Sequence, residues 1–270
     1  MSAQKLGEAV EISLKMVRRF VNHYHSTASA VVLAGSRSRE SGSCHSDYDV
    51  ILLFSSLPEG AWREMVAFEG CHIELFAHDL GTLAYFCREV DRPSGKPVLP
   101  TMVAEGISVM SDDPVLLRAA QKIAKETLRL GPPALDAAAL LTRRYAITDL
   151  AAALRSDTER NVLLAVGSAL YGALGDFALR AEGHWGASGK ALPRALARAK
   201  PLLSEQFEKA FDELFARSCV VAVQTLVDTT LQPYGGRLRE GYRQAAPATW
   251  TDLPVVNPQC EPTHGDGKDC

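Results

Sequence analysis

The chain has 270 residues, 47% of them hydrophobic and 23% charged, the balance of an ordinary globular protein with enough apolar material for a sizeable core. Its net charge of −3 and isoelectric point near 6.2 argue against tight, sequence-independent polynucleotide binding, which usually needs a strongly basic face, so stable nucleic-acid binding is not expected. A local pocket of a few Lys or Arg side chains for one triphosphate remains open.

The N-terminal stretch MSAQKLGEAVEISLKMVRRF mixes Lys, Arg and Glu into its apolar positions, unlike a signal peptide. No run reads as the roughly 18 apolar residues of a membrane span, so a cytoplasmic protein without a membrane partner is expected. The cysteines at 44, 71, 87, 219, 260 and 270 form no Cys-x-x-Cys pair and read as free thiols in a reducing compartment. Cys44-His45 and Cys71-His72 suggest zinc at first sight. Adjacent residues on a strand face opposite ways, however, which argues against it.

In chain order, apolar Leu6, Val10, Leu14, Val17 and Val21 predict a helix over 5–24. Ala30 to Ala34 reads as a buried strand stopped by Gly35-Ser36. A loop rich in Ser, Arg and Gly, from Arg37 to Ser46, leads into a second strand from Tyr48 to Phe54. Pro58 to Phe68 reads as a turn or short helix, and Cys71 to Phe76 as a third strand with His72, Glu74 and Phe76 on one face. From Thr82 the pattern becomes helical. Helices are expected at Val115–Leu130, after Pro114 and before Gly131-Pro132-Pro133, and at Ala134–Arg155, Glu159–Gly183, Ala191–Ala199 and Glu205–Leu231. The expectation is an α+β chain: a mixed β-sheet flanked by helices over 1–112, an all-α helical bundle over 113–245 and an irregular tail over 246–270.

The chemistry is concentrated in AGSRSRESGSCHSDYDVILLF. Asp47 and Asp49 stand one residue apart at the start of an apolar strand, so alternation sends both carboxylates to one face and Tyr48 to the other. Neighbouring carboxylates repel unless a cation lies between them. Hard oxygen donors suit Mg²⁺, which is ordinarily held by one or two carboxylates plus substrate phosphates. Gly35 lets the backbone come close, and the local N–H groups with the Ser36 hydroxyl can cradle a triphosphate. Arg37 and Ser46, at the two ends of the loop, are candidates for further phosphate contacts. Glu74 lies between Ile73 and Leu75, where a carboxylate without a use is costly, and a sheet can aim it at the same site.

In the helical part, Gly183-His184-Trp185-Gly186-Ala187-Ser188-Gly189-Lys190 is a Gly-rich loop entering a helix. Lys190 is either a phosphate contact assisted by backbone N–H groups or an ordinary helix-start lysine. Trp185 is either a stacking platform or a packing residue. Tyr145 and Asp149, four apart, share a helix face that either lines a cleft or is solvated.

The pattern Gly35-Ser36 … Ser46-Asp47-Tyr48-Asp49-Val50 resembles the signature of the polymerase-β-type nucleotidyltransferase superfamily. Within it, the small bacterial members with a helical C-terminal domain, such as aminoglycoside adenylyltransferases, are most similar. The resemblance implies that Gly35 and Ser36 hold the nucleotide phosphates, that Asp47 and Asp49 bind Mg²⁺ (two ions), and that Glu74 takes the third-carboxylate position, as metal ligand or as general base. It further implies ATP as co-substrate and a small-molecule acceptor, aminoglycosides leading. Two other readings stay open: transfer to a protein acceptor, as in toxin–antitoxin pairs, and a catalytically silent nucleotide-binding regulatory module. Oligomeric state is not legible.

Overall fold

The computed structural model describes residues 3–38 and 46–246. It begins with helix α1 (Ala3–Tyr24), whose Val17, Phe20 and Val21 are fully buried. Strands β1 (Ala30–Ala34), β2 (Tyr48–Leu53), β3 (Trp62–Phe68) and β4 (Cys71–His78) follow, and β5 (Ile107–Ser111) completes a sheet of order β3-β4-β2-β1-β5. β2 and β4 run parallel and the other neighbours antiparallel, so the sheet is mixed.

Both faces are covered, which is why β1 and β2 read as continuous apolar runs rather than alternating ones. On one face α1 packs against Val31, Leu33, Tyr48, Val50, Leu52, Ile73, Leu75 and Ala77. On the other, Ala30, Val32, Ile51 and Leu53 meet α2 (Leu80–Tyr85), the π-helical turn Phe86–Asp91, α4 (Val98–Glu105) and α5 (Pro114–Leu130). α3 (Arg92–Ser94) is a single turn between them. α5, which the sequence reading grouped with the helical part, lays Leu116, Leu117, Ala120 and Ala124 on the sheet.

Beyond it, α6 (Ala137–Ala152), α7 (Arg160–Arg180), α8 (Leu192–Ala199), α9 (Pro201–Arg217) and α10 (Val221–Leu231) form a bundle with its own core. The chain is thus α+β with a helical bundle after the sheet. α7 supplies Leu163, Leu170, Leu174 and Phe177 to the bundle core. It also reaches the length and hydropathy of a membrane span, with a mean hydropathy of 1.7, a run that the sequence reading overlooked; 44% of that window is buried.

Three expected elements differ. Trp62–Phe68 is a strand, not a turn or short helix: Trp62, Val66 and Phe68 pack on the α1 side while Arg63, Met65 and Ala67 take the other face. It returns through the two-residue turn Glu69-Gly70, with φ of 48° and 75°, the double left-handed geometry favoured by tight hairpins. Ile107–Ser111 is an edge strand inside a region read as helical. The helix expected over Glu205–Leu231 breaks at Ser218, which is left-handed with φ 56°. The tail expected over 246–270 lies, from 247, outside the described residues.

Candidate functional site

The site is built where β1, β2 and β4 lie side by side. Ala34 of β1 faces Asp49 of β2, and Asp49 faces Glu74 of the parallel β4. The chain leaves β1 through Gly35 at φ 67°. A Cβ there would overlap the Asp49 carboxylate, standing 2.7 Å from its Cγ. Only glycine can take this turn with Asp49 where it is. Ala34, Asp49 and Glu74 therefore form one row across three strands, and Gly35, just past the end of β1, packs on the Asp49 carboxylate.

Alternation then sorts the neighbours. Tyr48, 3% exposed, belongs to the core under α1, and Asp49 points the opposite way. Asp47 precedes the strand with a half-exposed side chain, and its Oδ1 is 3.8 Å from Nδ1 of His72. Burial is the main cause that raises the Asp49 carboxyl above the ordinary carboxylate range. The charge of Glu74 raises it next, Lys190 acts in the lowering sense, and Asp47 and a hydrogen bond with Glu74 raise it again. Lys190 sits in the turn Gly189–Ala191 that opens α8, so the bundle brings an ammonium within electrostatic range of the β2 carboxylate.

Glu74 has a second partner. Nε of Arg63 donates to its Oε1 at 2.6 Å, and Nη2 meets the same oxygen. The guanidinium lies 5.2 Å from the centre of the Phe76 ring. The Glu74 side chain is 16% exposed and that of Arg63 68%, so the arginine is the outer member of the pair. Arg63 escaped the sequence reading because its strand did; once β3 is read as a strand, pairing sets Met65 opposite Glu74 and Arg63 opposite Phe76.

Among the described residues no three His, Cys, Asp or Glu side chains close around one metal position. Asp49 interacts with both Asp47 and Glu74, but the three do not converge as a three-ligand cage, and Cys71-His72 forms no zinc centre with a third described group. Cys71, Cys87 and Cys219 are free thiols; Cys44-His45 lies outside the described residues. Arg37 makes two contacts at the mouth of the loop. Its Nε donates to the Ser46 carbonyl at 2.9 Å and its guanidinium lies 4.4 Å over the Tyr48 ring. It thereby ties the two ends of the loop together on the Tyr48 ring. Ser38 Oγ closes the same turn onto the Gly35 carbonyl at 3.0 Å.

The Gly-rich loop before Lys190 is tethered to the sheet-bearing part. The Gly186 N–H donates to the Gly95 carbonyl at 2.8 Å, and Trp185 Nε1 donates to the Leu128 carbonyl at 3.1 Å. Trp185 is thus held as a packing residue. Tyr145 is stacked on Tyr242 with ring centres 4.0 Å apart, and Asp149 is exposed. Below the loop lies a charge cluster absent from the sequence reading. Arg143 donates to Asp176 at 2.6 Å, and Arg180, only 4% exposed, donates through Nη2 to the Pro133 carbonyl at 2.8 Å. Arg180 Nε and Nη1 and Asp176 Oδ1 have no hydrogen-bond partner. His78, 4% exposed at the end of β4, has its imidazole pushed down to about 4 by burial, against the weaker opposing charge of Asp79.

No family model and no curated protein matches the chain. It is similar to a solved structure described as a nucleotidyltransferase-like protein from Exiguobacterium sibiricum, at 12% identity over 82% of this chain and 74% of that one, with a TM-score of 0.37. A likeness of that degree says nothing about activity.

Proposed function

We propose that the chain is a nucleotidyltransferase that moves a nucleoside monophosphate, from ATP by default, onto a hydroxyl of a small-molecule acceptor and releases pyrophosphate. The observation that carries this reading is the pairing of Asp49 with Glu74 on neighbouring strands, with the Gly35 turn packed on Asp49 and the Asp49 carboxyl raised by burial and by its acidic neighbours. Adjoining half-buried carboxylates are a standing electrostatic cost. A divalent cation removes it, and the donor chemistry fits one: Mg²⁺ needs only one or two protein carboxylates when phosphates and water complete its shell. A row that does not close into a three-ligand cage is a sufficient protein contribution.

Asp47 and Asp49 would hold two Mg²⁺ ions, which when bound supply charge neutralisation at the attacking and leaving oxygens. The remaining roles fall to the chain itself. The Gly35-Ser36 turn offers backbone and hydroxyl contacts to the triphosphate, and Lys190 adds a positive charge from the bundle side. Glu74 accepts the proton of the attacking hydroxyl or joins the metal ligands. The acceptor oxygen bonds to the α-phosphorus, the bond to the β-phosphate oxygen breaks, and pyrophosphate leaves. The sheet-bearing part is the catalytic unit and the bundle closes over the nucleotide. The resemblance in the Gly-Ser … Asp-x-Asp signature puts aminoglycosides first among acceptor classes to assay.

The test is ATP binding by calorimetry with and without Mg²⁺, alongside pyrophosphate release across an acceptor panel. Mg²⁺-dependent binding together with acceptor-dependent release supports the transferase. Mg²⁺-dependent binding with no release for any acceptor favours the regulatory module, and absence of ATP binding overturns the reading.

A further inference from the structure

Next to Glu74 the structure sets a cation, and that bears on what the acceptor can be. On the β3–β4 hairpin the face that carries Glu74 also carries Arg63, Met65, Ala67, His72 and Phe76, by strand alternation and pairing. The two other acidic residues of the hairpin are spent elsewhere. Glu64 pairs with Leu75 and so takes the α1 side. Glu69, in the turn, is bound by Arg19 at 2.6 Å. Apart from the three carboxylates given to the metal and the proton, this wall therefore offers an arginine, a histidine, an exposed methionine and an aromatic ring, but no carboxylate.

We propose that Arg63 selects the charge of the acceptor, and that the acceptor carries a phosphate or carboxylate beside the hydroxyl that reacts. This rests on the transferase reading above. Arg63 is mostly exposed, whereas Glu74 is mostly covered, so a molecule approaching Glu74 from the sheet edge meets the guanidinium first. The Nε and Nη2 donors that now hold Glu74 are the edge of the guanidinium that matches a phosphate or carboxylate with two parallel hydrogen bonds. When Glu74 turns toward a metal or a proton, that edge is released to the acceptor. The Phe76 ring beneath the guanidinium holds its plane. A polycation such as an aminoglycoside would instead bring ammonium groups against Arg63, with no hairpin carboxylate to receive them. The aminoglycoside expectation and this one thus make opposite demands on the same side chain.

The experiment compares glucose, glucose 6-phosphate, gluconate and kanamycin. Binding is followed by calorimetry on the whole chain and on its Asp47→Asn/Asp49→Asn variant, and pyrophosphate release from Mg²⁺–ATP is followed on the whole chain. The phosphate or carboxylate probe is expected to bind at least tenfold more tightly than glucose. Arg63→Gln is expected to abolish that preference, Arg63→Lys to keep part of it, and Arg63→Glu to shift it toward kanamycin. The two anions distinguish a phosphorylated acceptor from an acidic one. Equal binding of neutral and anionic probes, or an anion preference that survives Arg63→Gln, overturns the proposal. If the preference is present in both forms of the protein but ATP never binds, the transferase reading fails and the anion site at Arg63 stands. Arg63 lies exposed on an edge strand, so its variants keep the fold, which circular dichroism checks.

Discussion

Among the described residues, a charge cluster in the bundle and one in the sheet are built in opposite senses. In the bundle, one carboxylate, Asp176, lies between two guanidiniums, Arg143 and Arg180. In the sheet, Asp49 feels the carboxylates of Glu74 and Asp47 and a lysine from the bundle side. Each is fitted by a glycine: a Cβ at Gly186 would overlap Asp176 and one at Gly35 would overlap Asp49. The bundle cluster is enclosed, with Arg180 4% exposed. The sheet cluster ends in an arginine whose side chain is 68% exposed. An enclosed cluster with a surplus guanidinium holds helices and loops together. A row of surplus carboxylates beside an open edge lowers its free energy only when something positive binds, which is why the second, and not the first, is read as the site.

The comparison is broken most directly by the same change in both places. Asp49→Asn is expected to lower pyrophosphate release by about 10³-fold or more, since charge stabilisation at the reacting phosphate is commonly the largest catalytic contribution. It should leave the fold as stable as before or more so, because it removes one of several repelling carboxylates. Asp176→Asn should do the reverse. It leaves Arg143 and Arg180 without their counter-charge, at a cost of about 3 kcal/mol in denaturant unfolding, with activity within about tenfold of the parent. If Asp176→Asn proves the more damaging to turnover, the assignment of roles is inverted.

A smaller effect comes from the glycines. Gly186→Ala is expected to lose about 1–3 kcal/mol by overpacking, read as a shift of the urea midpoint. Gly35→Ala forces a side chain into a left-handed turn against Asp49 and should abolish Mg²⁺-dependent ATP binding as well. Asp49→Ala should relieve the steric part of the Gly35→Ala loss without restoring nucleotide binding. Additive stability losses in that double variant would mean that Gly35 and Asp49 do not touch as described.

These side chains also show what could be read from residues in order. β1 was legible to the residue because a short apolar run ends at Gly35, and Asp49 and Glu74 were legible because each carboxylate interrupts apolar strand sequence. β3 was not, since it is a half-exposed edge strand whose polar positions Arg63 and Glu64 mask the spacing of Trp62, Val66 and Phe68. Its turn, too, has Glu where such hairpins usually carry Asn or Asp. With β3 hidden, Arg63 could not be placed near Glu74, although pairing would have set it on the same face, diagonal to Glu74. Arg37 was read by its nearness to the motif; its contacts with the Ser46 carbonyl and the Tyr48 ring depend on a rotamer that sequence order does not give. The Asp176 cluster was out of reach for another reason. Asp176 and Arg180 stand four apart on α7, but Arg143 comes from α6, and Gly95 and Pro133 reach the cluster from outside the bundle, so it is complete only after these elements pack.

Titration sharpens the contrast further. A carboxyl whose folded pKa lies above its unfolded value binds more protons in the folded state within that interval. Stability contributed by Asp49 therefore falls as pH rises from the ordinary carboxylate range through the raised folded value, and stays low above it. Asp49→Asn should remove this part of the slope, seen by comparing urea unfolding of the two proteins from pH 4 to pH 7 without divalent ions. Mg²⁺ with ATP should flatten the parent's curve toward that of the variant. An unchanged slope in Asp49→Asn would mean that the carboxylate row does not strain the fold.

The smallest expected effect is on the stability of Arg63→Gln, and it separates the two arginine–carboxylate pairs most cleanly. Both pairs show a short hydrogen bond to a largely covered carboxylate, so a contact list alone would rate them alike. Exposure says otherwise. With 68% of its side chain in solvent, Arg63 gains from its pair little more than it would from water, and such pairs are worth about 0–1 kcal/mol. Arg63→Gln should therefore move the unfolding midpoint by no more than that range allows, and high salt should weaken the parent to nearly the same degree. Arg143→Gln removes a guanidinium that is 34% exposed and leaves Asp176 with Arg180, whose donors do not reach it. Its loss should be larger and less sensitive to salt. Were Arg63→Gln to destabilise as much as Arg143→Gln, the Arg63–Glu74 pair would be a structural brace rather than an exchangeable contact. The fork of Arg63 would then not be free to leave Glu74 for an acceptor.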